Sequence, residues 1–135
     1  MEKPILLVVS AALVDRENRV LIAKRPKTKS MGGLWEFPGG KVECWETPEA
    51  ALVRELDEEL SIQVCNTCLA PFTFASHTYE EFHLLMPLYL CRSWNNEPCS
   101  RENQELTWVR AMRLADYPMP AADLSVIPYL RDLLS

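Results

Sequence analysis

Residues 54 to 59 read Arg-Glu-Leu-Asp-Glu-Glu, the densest run of carboxylates in the 135-residue chain. At about 100° per residue on a helix, Glu55, Glu58 and Glu59 share one sector of about 100°, and Leu52, Leu56 and Leu60 form a stripe about 120° away. One side of such a helix packs while the adjacent side presents three carboxylates. A solvated acidic face is the ordinary use of such a pattern, but a stabilising face sets Lys or Arg four residues from each Glu. Here Glu55 has Glu58 and Glu59 as its neighbours, Glu58 has Ile62, and Glu59 has Gln63; only Arg54 stands near, toward Glu58. The cluster also falls toward the helix C-terminus, where the macrodipole opposes each anion by roughly 0.3–1 kcal/mol. Carboxylates that repel one another imply an external cation, and hard divalent ions such as Mg2+ or Mn2+ take oxygen ligands of this type. Gly39-Gly40 lies just upstream, and glycine lets backbone approach an ion or a phosphate with no Cβ in the way. Glu46 directly precedes the helix.

The elements that must position these groups are legible from patterning. Ile5–Val14 is rich in Val, Ile and Leu and reads as a buried strand rather than a signal peptide. Asp15–Asn18 is a turn, and the alternation in Arg19–Lys24 makes the returning strand. The long stretch from Arg25 to Glu46 reads as an irregular loop holding all four glycines, and long loops in compact domains are often functional. Thr47 is a good N-cap with Pro48 at the first helical position, and Ser61-Ile62 ends the helix. Strands follow near Leu69–Phe74, Phe82–Cys91 and Leu106–Arg110, with a short helix in Met112–Tyr117 and a last helix over Leu124–Leu134, disturbed at Pro128. That order predicts an α/β fold: a mixed sheet flanked by helices, in one domain spanning residues 1–135.

Bulk properties narrow the function. The net charge is −5 and the pI near 5.1, so a surface for long nucleic acid is not expected. No run reaches the roughly 18 apolar residues of a membrane span. Five cysteines, odd in number and scattered, read as free thiols of a cytoplasmic protein. Cys65 and Cys68 form a lone C-x-x-C without the second pair that structural zinc needs.

Gly40, five residues, Glu46, seven residues, then Arg54-Glu55-Leu56-Asp57-Glu58-Glu59-Leu60-Ser61-Ile62 resembles the Nudix box, Gly-x5-Glu-x7-Arg-Glu-U-x-Glu-Glu-x-Gly-U with U apolar. The matched polar and glycine positions coincide by chance about once in 10⁵ chains of average composition. Ser61 stands where the pattern has glycine, the left-handed residue ending the helix. Trp35–Glu43 resembles the run before the box in the MutT-type branch, Arg25 stands where that branch has an arginine after the second strand, and Tyr117–Asp123 resembles its base-recognition segment.

The resemblance implies a Nudix-type α/β/α sandwich and hydrolysis of a nucleoside triphosphate to the monophosphate and pyrophosphate. It implies Glu55, Glu58 and Glu59 as metal ligands, with the Gly39 carbonyl assisting and Glu102 contributing a ligand or base. It further implies that Arg54 orients Glu55 by a bidentate ion pair and that Glu46 supports the loop–helix geometry or joins the metal shell. Arg25, Phe37, Lys41 and Asp123 are the expected substrate contacts. Trp35 and Phe37 are either base-stacking or core residues, and Asp123 either reads the base edge, caps a helix, or both. His77, Tyr79 and His83 are either pocket-lining or ordinary strand residues. Oxidised dGTP is one expected substrate, in nucleotide-pool sanitation. The oxidised-guanine enzymes have an Asp-Arg pair after the box, whereas Glu80-Glu81-Phe82 here has no arginine. That keeps (d)CTP or 5-methyl-(d)CTP as the alternative. A non-catalytic nucleotide-sensing module is the alternative of another class. The expected assembly is a monomer or a homodimer.

Overall fold

A computed structural model describes residues 3–27 and 32–135; residues 28–31 of the long loop lie outside it. The order is β1 (Ile5–Leu13), β2 (Arg19–Lys24), β3 (Trp35–Glu36), β4 (Gly39–Lys41), α1 (Pro48–Leu60), β5 (Leu69–Thr78), β6 (His83–Cys91), β7 (Leu106–Arg110) and α2 (Ala121–Leu134), with short 3₁₀ turns at Asn66–Cys68 and Ala111–Asp116. The expected long loop thus carries two short strands. β5 runs four residues further than the apolar pattern suggests, because its second half pairs with β6 to His83. α2 begins at Ala121 rather than at Leu124, and Pro128 sits inside it without ending it.

The strands form a mixed four-stranded sheet in the order β4-β1-β6-β5 and an antiparallel three-stranded sheet in the order β3-β2-β7. β1 and β6 are parallel; every other pairing is antiparallel. β1 shows why helices stand on two sides. Successive strand side chains point to opposite faces, and on β1 both faces are buried. Val9, Ala11 and Leu13 pack with Leu52, Leu56 and Leu60 of α1. Ala12 joins the other core, with Val126, Ile127 and Leu130 of α2. A strand buried on both faces reads as a continuous apolar run, as Ile5–Leu13 does. The result is the α/β/α layering expected from the sequence.

α1 begins and ends as its sequence predicts. Thr47 Oγ1 accepts the Ala50 N–H at 3.1 Å, a cap worth about 1 kcal/mol. At the other end Ser61 takes the left-handed conformation, φ 58° and ψ 31°. Its N–H returns to the Asp57 carbonyl at 3.0 Å, so the helix ends where a glycine would have ended it, at a strain of about 1 kcal/mol. Cys65 and Cys68 are disulfide-bonded, not free, while Cys44, Cys91 and Cys99 carry free thiols. No helix among the described residues is long and apolar enough to cross a membrane.

Candidate active site

A cavity of about 570 Å³ opens where β1, β4, α1 and the start of α2 meet. Its lining includes Gly39, Gly40, Glu55 and Glu59 together with Arg25, Phe37, Lys41 and Asp123. All four expected substrate contacts and two of the expected carboxylate ligands thereby share one space, although they come from four separate stretches of chain. Glu58, Glu102 and Arg54 are not part of the lining.

The glycines are explained by what presses on them. β4 runs antiparallel to β1, with Ser10 opposite Gly39 and Val9 opposite Gly40. A Cβ on Gly39 would stand 1.9 Å from the Val9 carbonyl oxygen, and one on Gly40 would stand 1.9 Å from Glu55 Oε2. Gly40 therefore leaves the space into which α1 delivers its first carboxylate. The Gly39 N–H in turn points to Glu59 Oε2 at 3.4 Å.

Arg54 ties the loop to the helix. Its Nε and Nη2 donate to the two carboxylate oxygens of Glu46 at 2.7 and 2.8 Å, and Nη2 also donates to the Lys41 carbonyl at 3.2 Å. Nη1 donates to Glu55 at 2.8 Å and to Glu58 at 3.3 Å. The bidentate partner is thus Glu46, not Glu55, because Glu46 faces the flat edge of the guanidinium across the loop while Glu55 meets one nitrogen. Arg54 holds the Glu46 carboxyl down to about 2. Glu46 accordingly supports the loop–helix junction, and Glu58, its side chain 59 % exposed, points outward beyond Arg54.

Among the described residues no such cation is paired with Glu59. Burial, then the charges of Glu55, Glu36 and Glu102, push its carboxyl up to about 8. Burial also raises Glu55, against the pull of Arg54. Among the described residues no three His, Cys, Asp or Glu side chains already stand at metal-ligating spacing, so the four expected carboxylates are neighbours rather than a closed cage. The donor set nevertheless fits a hard divalent cation. It is all oxygen, Glu59 is buried among like charges, and glycine keeps the space beside Glu55 clear.

Asp123, on the same lining, is 6 % exposed. It is not the helix cap: α2 starts two residues earlier with Pro120 as N-cap, placing Asp123 in the first turn, where the macrodipole favours an anion. Its Oδ2 accepts the Phe37 N–H at 3.1 Å, and burial raises its carboxyl to about 7. Phe37 is 2 % exposed and belongs to the core, so its ring offers little face for stacking; its backbone serves the cavity by holding Asp123. Trp35 is likewise core, edge-on to Tyr117 with ring centres 5.3 Å apart. Arg25 meets both oxygens of Glu36 at 3.3 Å.

The sequence reading passed over Glu36 and Ser10, which line the cavity, and left Tyr79 undecided. The signal for Glu36 was its charge between two buried aromatics on a strand. Tyr79 also lines the cavity, and its hydroxyl accepts the Ala122 N–H at 3.1 Å, joining the β5–β6 hairpin to the start of α2. His83 is a strand residue, held between Ser76 Oγ at 2.9 Å and Thr78 Oγ1 at 2.5 Å.

Residues 9–128 match the family model described as NUDIX domain. The 8-oxo-dGTP diphosphatase of Escherichia coli is 33 % identical over 128 residues, 94 % of this chain and 98 % of that protein. The CTP pyrophosphohydrolase of the same organism is 34 % identical over 124 residues, 90 % of this chain and 89 % of that one. Among solved structures, a MutT described from Aliivibrio salmonicida and Vibrio cholerae is similar with a TM-score of 0.81 and 33 % identity, covering 96 % of this chain and 98 % of the other.

Proposed function

The chain belongs to the Nudix family, MutT-type branch, and from that premise we propose that it converts a nucleoside triphosphate with an oxidised purine, 8-oxo-dGTP, to the monophosphate and pyrophosphate with the help of Mg2+. It is a hydrolase of phosphoanhydride bonds. The observation that carries the substrate reading is the cavity itself, whose lining joins Glu55 and Glu59 to the buried Asp123. One nucleotide placed along it meets the carboxylates with its phosphates and Asp123 with its base.

Water attack on a triphosphate is opposed by the charge already on the chain. Divalent cations, which this family generally uses, neutralise that charge, activate water and stabilise the leaving oxygen when bound. Glu55 and Glu59 would hold them, with the Gly39 carbonyl, Glu58 and Glu102 as further ligands. Arg54 keeps Glu55 in place from the solvent side. Lys41 faces the phosphates as a point charge. A carboxylate of the site takes the proton from the attacking water, and the phosphoanhydride bond between the α and β phosphates breaks to give the monophosphate and pyrophosphate.

Asp123 distinguishes bases by hydrogen-bond direction. Oxidation of guanine at C8 places an N–H at position 7, where guanine has only a lone pair, and a carboxylate accepts from the former and repels the latter. A cytosine reading remains because a half-protonated carboxyl both donates and accepts, matching the N3 and N4–H₂ edge; the likeness to the CTP pyrophosphohydrolase favours it. The test is kcat/KM for 8-oxo-dGTP, dGTP, CTP and 5-methyl-dCTP, in the parent and in Asp123→Ala. A lost hydrogen bond to a buried group costs roughly 1–3 kcal/mol, so the preferred base should lose about 5- to 150-fold and a poor one far less. An equal loss on all four, tracking a lowered melting temperature, would remove base reading from Asp123.

A further inference from the structure

Ser61, the one departure from the box, does something at the helix end that a glycine cannot. Its Oγ accepts the Arg101 Nε–H at 2.6 Å, the shortest contact between α1 and the segment that follows β6. The surrounding backbone bonds run the same way. The Cys99 N–H donates to the Leu60 carbonyl at 3.0 Å and the Arg101 N–H to the Glu59 carbonyl at 3.1 Å, while Asn96 Nδ2 donates to the Ser61 carbonyl at 3.5 Å. Arg101 Nη2 stands 3.8 Å from Asp57. Carbonyls that a helix terminus leaves open are thus closed by one loop, and Glu102 is the next residue along it. Ser100 Oγ stiffens that loop by accepting the Gln104 N–H at 2.8 Å and the Glu102 N–H at 3.3 Å. Glu102 follows Arg101, whose N–H is bound to the Glu59 carbonyl at 3.1 Å, so where this loop sits decides how close the two carboxylates come.

We propose that Ser61 is a positioning residue: its hydroxyl, through Arg101, fixes the Cys99–Gln104 loop on the end of α1 and so sets the place of Glu102 beside Glu59. The consequence for turnover rests on the hydrolase reading; the structural claim does not. Ser61→Gly removes the hydroxyl and suits the left-handed backbone better, so a loss cannot come from strain. Ser61→Asn tolerates the same backbone and returns an acceptor.

The experiment is hydrogen exchange by mass spectrometry on the metal-free protein, together with kinetics on the best triphosphate. In Ser61→Gly, amides of 99–104 should exchange about 10-fold faster while α1 and the sheets keep their parent rates. kcat should fall about 5- to 20-fold with KM within about two-fold, as for an interaction made in the transition state. Ser61→Asn should recover most of both. In a Glu102→Gln background Ser61→Gly should cost nothing more, because the two act through one group. Parent-like exchange in the glycine variant, or an undiminished kcat loss in the Glu102→Gln background, overturns the proposal. A parent inactive on every triphosphate would sink the hydrolase reading instead, and exchange alone would then decide the latch.

Discussion

At Glu59 a carboxylate is buried beside Glu55, Glu36 and Glu102, with the Gly39 N–H at 3.4 Å as its polar neighbour and no cation paired with it among the described residues. Such a charge opposes folding, so neutralising it should stabilise the metal-free protein and remove its chemistry. Glu59→Gln is expected to melt higher than the parent in EDTA, by roughly the 0.5–2 kcal/mol of a single stabilising substitution, and to lose nearly all turnover. A variant that melts lower in EDTA would show that Glu59 is compensated. Asp123 supports a prediction in pH. Its carboxyl keeps its proton to about 7 in the fold, against 3.8 ordinarily. The unfolded chain gives up that proton first, so the stability present below about pH 4 is lost as pH rises through 7. Asp123→Asn keeps an acceptor for the Phe37 N–H and carries no such penalty. It should melt higher than the parent at pH 8, by up to a few kcal/mol, and the gap should close near pH 4. Parallel melting curves across that range would refute the assignment.

The junction of β4 with α1 works as a unit, and its two glycines serve different ends. A Cβ on Gly39 meets backbone, the Val9 carbonyl oxygen and the Ser10 Cα at 1.9 and 2.7 Å. A Cβ on Gly40 meets the end of the Glu55 side chain at 1.9 Å. Backbone in a sheet cannot step aside, whereas a glutamate can turn. Gly39→Ala should therefore break the β1–β4 pairing and lower the melting temperature severely. Gly40→Ala should fold and melt near the parent yet lose at least about 100-fold in kcat, because Glu55 is turned out of the cavity. Melting curves and kinetics on both variants test the contrast; a Gly40→Ala enzyme at parent rate would separate Glu55 from the chemistry. Arg54 belongs to the same unit. A lysine in its place cannot span Glu46, Glu55 and Glu58 together, so Arg54→Lys should rescue little of the activity lost in Arg54→Ala.

Across the whole molecule, the cavity draws its lining from β1, β4, α1, the β5–β6 hairpin and the start of α2. A ligand there touches one core through Phe37, Leu84 and Met86 and, through Glu55 and Glu59, the helix α1 whose leucines build the other, so its binding energy should appear in global unfolding rather than in one loop. Mg2+ with a slowly hydrolysed triphosphate analogue should raise the single melting transition by about 2.7 kcal/mol at 100 times Kd, and the metal alone by less. In Glu59→Gln the metal increment should vanish while the base contacts at Asp123 remain. A ligand shift confined to part of the chain, or a transition split in two, would contradict this coupling.

The carboxylate half of the candidate site was legible in sequence because it is local. Helical geometry alone puts Glu55 and Glu59 on a common side and the leucines on another. Thr47-Pro48 at one end and Ser61 at the other mark the limits of α1 by capping chemistry, and the structure keeps them. The strands β1, β2 and β7 were equally plain from apolar runs and alternation. What the chain does not show locally, tertiary packing decided. Glu46 rather than Glu55 takes the fork of Arg54 because the loop folds back along the helix, a matter of approach between groups eight residues apart. Phe37 and Trp35 are aromatic in either role, and only the packing of α2 onto the sheets sends them to the core and leaves the Phe37 N–H for Asp123. Asp123 moves from helix cap to first turn because Pro120 ends the extended segment, and its raised carboxyl depends on burial that no neighbour in sequence supplies. Ser61 and Arg101 are forty residues apart, and their hydrogen bond exists only where β6 returns the chain to the end of α1. Periodicity and capping act within a few residues and can be read from the sequence; burial and long-range hydrogen bonds depend on which surfaces the completed fold brings together.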